Sequence, residues 1–355
     1  MSIATKIQWC DSTCNPTMGC EGCELWTPKV RKCYAGLLHV RFGGVTKGYS
    51  PTFEELTFWP GRMTEAARWP VLTGTRRKDK PWLDGLPRLI FVSDMSDSLS
   101  AAVPFDFLEE EIVGTATSPE GRRHHWLWLT KRPDRMAQLS DLLRTKGIEW
   151  PGNVWAGTSI TTQATTTRIA HLLRIGNEET IRFLSVEPQH ERIDLAKWLP
   201  SLDWVIQGGE SGHNAYPFHI EWAVDLIGQC EQNGVAYFLK QLGTVVHRNG
   251  ARVRFEDHHA GDWTEWPKEL RVRQLPIAQP MKPPTSDERS SNGKKSSAEL
   301  TEIAKRAWAT RRANEATTLL DTSANGSASS VEEDLKRKRS EAAKKAWQTR
   351  RAKGR

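Results

Sequence analysis

Short, near-continuous apolar runs recur along the chain to about residue 275. They lie at Leu89–Ser93 (LIFVS), Trp126–Thr130 (WLWLT), Val154–Thr158 (VWAGT), Ile181–Val186 (IRFLSV), Trp204–Gln207 (WVIQ) and Ala236–Leu239 (AYFL). A strand with one wet face alternates apolar and polar residues, whereas these runs do not, so they predict strands buried on both faces. Ile7–Trp9 reads as an opening strand and brings the number to seven. The segments between them have helical spacing: Phe105–Val113 behind Pro104, Thr161–Leu173, and His219–Cys230 with Ile220, Ala223, Val224 and Ile227 on one side. Alternating strands and helices predict an α/β fold of parallel βα units. Polar residues follow the strands: Asp94, Lys131 and Arg132, Ser159, Glu187, Gly208-Gly209-Glu210-Ser211, and Lys240-Gln241. Groups converging from C-terminal strand ends make the active face of a parallel (β/α) barrel, so a barrel, complete or partial, is predicted over residues 1–275.

Composition divides the rest of the chain. Residues 276–296 are a Pro/Ser/Lys-rich linker that cannot bury a core, and residues 297–355 form a basic tail. The tail from 301 holds fourteen Lys and Arg against seven Asp and Glu, which leaves residues 1–300 formally neutral. Within it AKRAWATRRA (Ala304–Ala313) recurs as AKKAWQTRRA (Ala343–Ala352). A solvated basic tail needs no tryptophan, whereas stacking on a base uses one. Nucleic acid is therefore expected to bind Lys305, Arg306, Trp308, Arg311 and Arg312, and Lys344, Lys345, Trp347, Arg350 and Arg351 in the second copy. No apolar run approaches the roughly 18 residues of a membrane span. The N-terminus has neither the basic nor the apolar part of a secretory leader, so a cytoplasmic location is expected.

In that reducing compartment clustered cysteines read as a metal site rather than as disulfides. Cys10, Cys14, Cys20, Cys23 and Cys33 crowd the first turns of the chain, while Cys230 lies alone in a helical segment as a small buried hydrophobe. The spacing Cys20-x2-Cys23-x9-Cys33 lets one loop hold three irons of a four-iron cluster and leave the fourth open. A closed zinc knob on Cys14, Cys20, Cys23 and Cys33 fits the same spacing. Near these, Trp26 is placed to shield a cluster from solvent.

In order along the chain stand TKIQW, CNPTMGC, KCYAG, IFVSDMSD, LTKRPDRM, NVWAGTSI, FLSVEPQ, DWVIQGGESG and FLKQLG, over about residues 5–267. This series resembles the phage-associated three-Cys-motif proteins, a family of unknown function that is similar to the radical S-adenosylmethionine enzymes. The resemblance implies a barrel of radical-SAM type and a [4Fe-4S] cluster on Cys20, Cys23 and Cys33. It implies S-adenosylmethionine on Glu187, Gly208, Gly209, Glu210, Ser211, Tyr34 and Asp94, an electron donor, and a partner enzyme encoded nearby. The expected activity is modification or repair of a nucleic acid or nucleotide. Two departures stand out: the family's middle cysteine position is Val30 here, with Cys23 in its role, and Gly208-Gly209-Glu210 follows the sixth strand rather than the second. The alternatives are a non-catalytic nucleic-acid-binding protein with structural zinc, or an iron–sulfur accessory to a partner enzyme.

Overall fold

Seven parallel strands form one sheet in chain order: β1 (Ser12–Cys14), β2 (Arg88–Val92), β3 (His124–Thr130), β4 (Val154–Ile160), β5 (Arg182–Val186), β6 (Trp204–Gly208) and β7 (Ala236–Gln241). The helices are α1 (Tyr34–Phe42), α2 (Arg62–Ala67), α3 (Phe105–Leu108), α4 (Pro133–Thr145), α5 (Arg168–Leu172) and α6 (Ile220–Asn233). The computed structural model describes residues 1–277, so the tail residues Lys305, Arg306, Trp308, Arg311, Arg312, Lys344, Lys345, Trp347, Arg350 and Arg351 lie outside the described residues. Among the described residues no helix is long and apolar enough to cross a membrane.

The continuous apolar runs have a direct physical cause. Alternate residues of each strand face opposite sides, and both sides are covered. One set, including Ile90, Trp128, Ala156, Leu184, Val205 and Leu239, packs with the helices on the outside. The other set, Leu89, Phe91, Leu127, Trp155, Phe183, Trp204 and Phe238, fills the inside. The Trp9 ring lies 4.6 Å from Phe91, 6.4 Å from Phe183 and 6.3 Å from Trp204, so β2, β5 and β6 surround one side chain. The sheet is thus curled into a partial barrel, and its edge strands β1 and β7 do not pair with each other. Beside β7, Arg273 bridges to Phe238 and lies 4.2 Å from the Trp82 ring and 4.9 Å from Trp263, closing the flank with stacked aromatic surface.

Two sequence expectations are corrected, and a third, the helix at Phe105–Val113, is present in altered form. Ile7–Trp9 is not a strand; the first strand is Ser12–Cys14, which pairs with Ile90–Val92. The Lys80 ammonium donates to the carbonyls of Thr5, Ile7 and Cys10 at 2.6–2.7 Å, and the Trp82 indole donates to that of Gln8. Side chains therefore satisfy this backbone in place of a ladder, and Trp9 turns into the barrel. Thr161–Leu173 is not one helix: a 3-10 turn at Gln163–Thr167 precedes α5. Its threonine hydroxyls bond nearby backbone, as Thr166 Oγ1 does to the Gln163 carbonyl at 2.7 Å, and compete with helix hydrogen bonds. Phe105–Val113 begins as α3 but widens into a π turn over Glu109–Gly114, where the Glu111 carboxylate accepts the Gly61 and Met63 N–H groups at 2.9 Å.

The barrel interior makes stability pH-dependent. His125, on the inner phase of β3, lies 5.1 Å from Trp155, and burial together with neighbouring His124 holds its imidazole down to about 4. The unfolded chain binds this proton below its ordinary value near 6.5, the folded chain only near 4. Stability is therefore complete above that ordinary value and falls as pH drops through the window between the two. The expected loss is about 1–3 kcal/mol. Urea midpoints of His125→Gln should show a shallower decline across this window than wild type; identical slopes would refute the assignment.

Candidate functional site

The inner face changes character along each strand. On β3 Leu127 and Leu129 are followed by Lys131, on β4 Trp155 and Gly157 by Ser159, on β5 Phe183 by Ser185 and then Glu187, and on β7 Phe238 by Lys240. The two-residue strand period thus builds an aromatic floor in the barrel and polar groups at its mouth. Gly157 is required by that floor, since a Cβ there would stand 2.3 Å from the Phe183 ring. The mouth opens on a cavity of about 350 Å³, lined by Trp9 and Phe91 below and by Lys131, Ser159, Glu187 and Lys240 among others above. Cys20, Cys23 and Cys33 line the same cavity.

The loop that carries these cysteines is fastened to the strand ends by charge. Glu21, next to Cys20, accepts the Ala101 and Ala102 N–H groups at 2.9 and 3.0 Å. Glu24, next to Cys23, accepts a two-pronged contact from Arg168 at 3.0 and 2.8 Å, with Lys131 at 3.7 Å. Burial alone would raise the Glu24 carboxyl, but these cations hold it down to about 2. Arg132 donates to Asp97 at 2.8 Å, to the Gly22 carbonyl at 2.7 Å and to Cys20 Sγ at 3.8 Å. Asp97 also accepts Thr130 Oγ1 and the Leu99 and Lys131 N–H groups, so it acts as a turn-forming hub. Gly19 is left-handed (φ 87°), and a Cβ there would lie 2.1 Å from the Glu55 carbonyl oxygen. Sequence reading missed Glu21, Glu24 and Arg168; the only signal is an acidic residue directly after each of two cysteines.

Burial raises all six thiols, Cys10, Cys14 and Cys230 by the most. Burial raises Cys20, Cys23 and Cys33, but each has an opposing positive neighbour: Arg132 at Cys20, Lys131 at Cys23, and the Gly36 and Ala35 N–H groups at Cys33. Cys33 caps the N-terminus of α1, where the helix dipole favours a negative sulfur. Burial pushes Cys230 up to about 12 and raises Cys10 and Cys14 further still. Cys14 sits in β1 with its Sγ 3.6 Å from the Arg62 carbonyl, in the outer core away from the cavity. Among the described residues no three His, Cys, Asp or Glu side chains are grouped to hold a single metal ion. Trp26 does not itself line the cavity: it is buried behind the loop, 5.1 Å from Phe53, in one apolar cluster with Cys20 and with Cys33 packed against it, while Leu25 lines the cavity.

The other predicted body residues also meet at the mouth. Glu187 accepts from Lys240 at 2.5 Å. Glu210 lies 3.3 Å from Lys32, accepts the Tyr216 N–H at 3.0 Å, and has His190 Nε2 at 3.5 Å. Burial would raise Glu210, but His190, the Tyr216 N–H and Lys32 hold it below its usual range. Asp94 is raised by burial, although Asn15 donates to it at 2.6 Å, and the Tyr34 hydroxyl donates to its backbone carbonyl. Ser211 Oγ donates to Gln241 at 3.0 Å. Tyr34, Asp94, Glu187, Gly209, Glu210 and Ser211 all line the cavity. Gly208 stands behind Glu187, whose side chain would be 3.1 Å from a Cβ there, and Gly209 packs under the Leu242 carbonyl. Both glycines therefore make room for the chain itself. Ser93, at the rim, is left-handed (φ 72°), a conformation that costs a non-glycine residue about 1–2 kcal/mol and is found at functional sites.

A family model described as "Protein of unknown function (DUF5131)" matches residues 4–347, from before the first strand to Trp347 of the second tail repeat. No curated protein and no solved structure matches the chain.

Proposed function

Because the chain belongs to DUF5131, a family of proteins of unknown function, its chemistry rests on the site, and we propose an iron–sulfur enzyme of radical S-adenosylmethionine type that acts on a nucleic acid or nucleotide. The observation that carries this reading is the meeting of Cys20, Cys23 and Cys33 with Glu187, Glu210 and Asp94 in one cavity at the C-terminal ends of parallel strands. The donor set fits a [4Fe-4S] cluster: three thiols on one cavity, each beside a cation or N–H group that offsets part of the burial penalty on its thiolate, can bind three different irons. Against the zinc knob on Cys14, Cys20, Cys23 and Cys33 stands the place of Cys14 in the outer core, away from the other three.

When bound, the cluster and S-adenosylmethionine supply one-electron cleavage of a sulfonium, which is the cofactors' own chemistry. The chain's part is to hold and shield. Glu187 and Glu210, each beside a lysine, have lone pairs left to accept from a ligand's amino or hydroxyl groups. Trp9 and Phe91 keep water from the floor. An anionic macromolecule has a matching approach: no Asp or Glu occurs from Leu25 to Phe53, where Lys29, Arg41 and Lys47 are exposed, while Arg31 is paired to Glu54 at 2.6 Å.

Anaerobic purification with iron, sulfide and zinc analysis tests the reading, followed by reduction in the presence of S-adenosylmethionine. The expected protein is brown and cleaves the cofactor. A colourless protein carrying zinc overturns the proposal, and a cluster without cleavage reduces it to an iron–sulfur accessory of a partner enzyme. Glu187→Gln or Glu210→Gln keeps the side-chain shape and removes a charge. Each is expected to weaken S-adenosylmethionine binding about tenfold with iron content unchanged; wild-type affinity in both would leave these residues with structural roles only.

A further inference from the structure

The cavity wall built by β3, β4 and β5 carries donors that the protein itself does not use. Ser159 on β4 and Ser185 on β5 are register partners, so their side chains stand next to each other on the inner face. They are 8% and 3% exposed, both line the cavity, and neither hydroxyl has a hydrogen-bond partner among the described residues. Lys131 follows β3 on the neighbouring side and also lines the cavity. The nearest carboxylate oxygen to its ammonium is Glu24 Oε1, at 3.7 Å, and Glu24 is already held by the Arg168 fork. The Cys23 thiol feels the same ammonium.

The opposite wall is self-neutral, with Glu187 paired to Lys240 and Glu210 to Lys32. The donors of nearby Arg132 go to Asp97 and the Gly22 carbonyl. Among the described residues of this cavity, Lys131 is then the lysine whose ammonium makes no hydrogen bond, its carboxylate contact being the 3.7 Å one to Glu24, whereas Lys240 and Lys32 each have an acceptor. An ammonium can only donate, and a serine hydroxyl can do so, so the partner common to all three is an acceptor with negative charge. We infer that Lys131, Ser159 and Ser185 form an oxyanion subsite that takes a carboxylate or phosphate group of the substrate. The identity of that ligand as substrate rests on the reading of this cavity as the reaction chamber; anion binding does not.

Calorimetric titration of the full chain with inorganic phosphate, AMP and succinate, at constant ionic strength and with iron measured in parallel, tests the subsite. At least one anion is expected to bind at millimolar or lower concentration, and about tenfold more weakly to Lys131→Met and to the double variant Ser159→Ala/Ser185→Ala. Binding of phosphate and AMP without succinate identifies a phosphate ligand, and the reverse a carboxylate. No binding by any of the three, or wild-type affinity in either folded variant, overturns the inference. Anion binding with this dependence in a protein that holds no iron keeps the subsite and defeats the proposed function. An iron-loaded protein that binds no anion does the opposite.

Discussion

Alanine at Cys20, Cys23 or Cys33 is expected to strip the protein of iron and sulfide, whereas alanine at Cys10, Cys14 or Cys230 leaves them in place. The first three sulfurs line one cavity, and at each a positively charged or N–H neighbour offsets part of the rise that burial imposes. Burial raises the other three further, although Lys80 opposes it at Cys10 and Arg62 at Cys14, and none of them lines the cavity: Cys10 and Cys14 lie in the two core layers and Cys230 within α6. A cluster bound by three thiolates does not survive the loss of one, because an iron corner then has no protein ligand. Iron and sulfide analysis of anaerobically purified variants measures this directly. Full iron in Cys33→Ala would remove the assignment, and loss of zinc in Cys14→Ala would restore the zinc knob.

Arg132→Met is expected to destabilise the fold by about 3–5 kcal/mol, because it leaves the buried Asp97 carboxylate without its cation. The same guanidinium holds the cysteine loop through the Gly22 carbonyl and contacts Cys20 Sγ, so iron content should fall as well. Arg132→Lys keeps the charge but has no planar fork with which to reach Asp97 and Gly22 together, so it should recover only part of the stability. Urea unfolding of the metal-free proteins separates the two effects, since the Asp97 pairing does not need a metal. A metal-free Arg132→Met protein within about 1 kcal/mol of wild type would show that the other donors to Asp97 suffice.

Much of this architecture is written in local sequence. A residue run between two packed layers must be apolar on both faces, which is why LIFVS, WLWLT and IRFLSV are legible as strands, and why the polar residue that ends each run lies at the mouth. Cysteine spacing likewise marks a single loop as the candidate ligand source. Local pattern fails where partners are remote. Ser12–Cys14 is too short and polar to read as a strand and becomes one only because β2 offers an edge. Ile7–Trp9 is apolar enough to read as one, yet Lys80 takes its carbonyls and Trp9 fills the barrel floor.

The charge pairings at the mouth are also tertiary. Glu24 meets Arg168, Glu187 meets Lys240 and Glu210 meets Lys32 only because curling the sheet brings the ends of distant strands around one cavity. Sequence by itself therefore determined which segments are buried and which residues stand at strand ends, because burial is recorded in each segment's own periodicity. The tertiary structure decided which of those residues pair closely and which, the Lys131 ammonium and the Ser159 and Ser185 hydroxyls, face the cavity without a hydrogen-bond partner among the described residues. Pairing depends on three-dimensional distance, which no local pattern encodes.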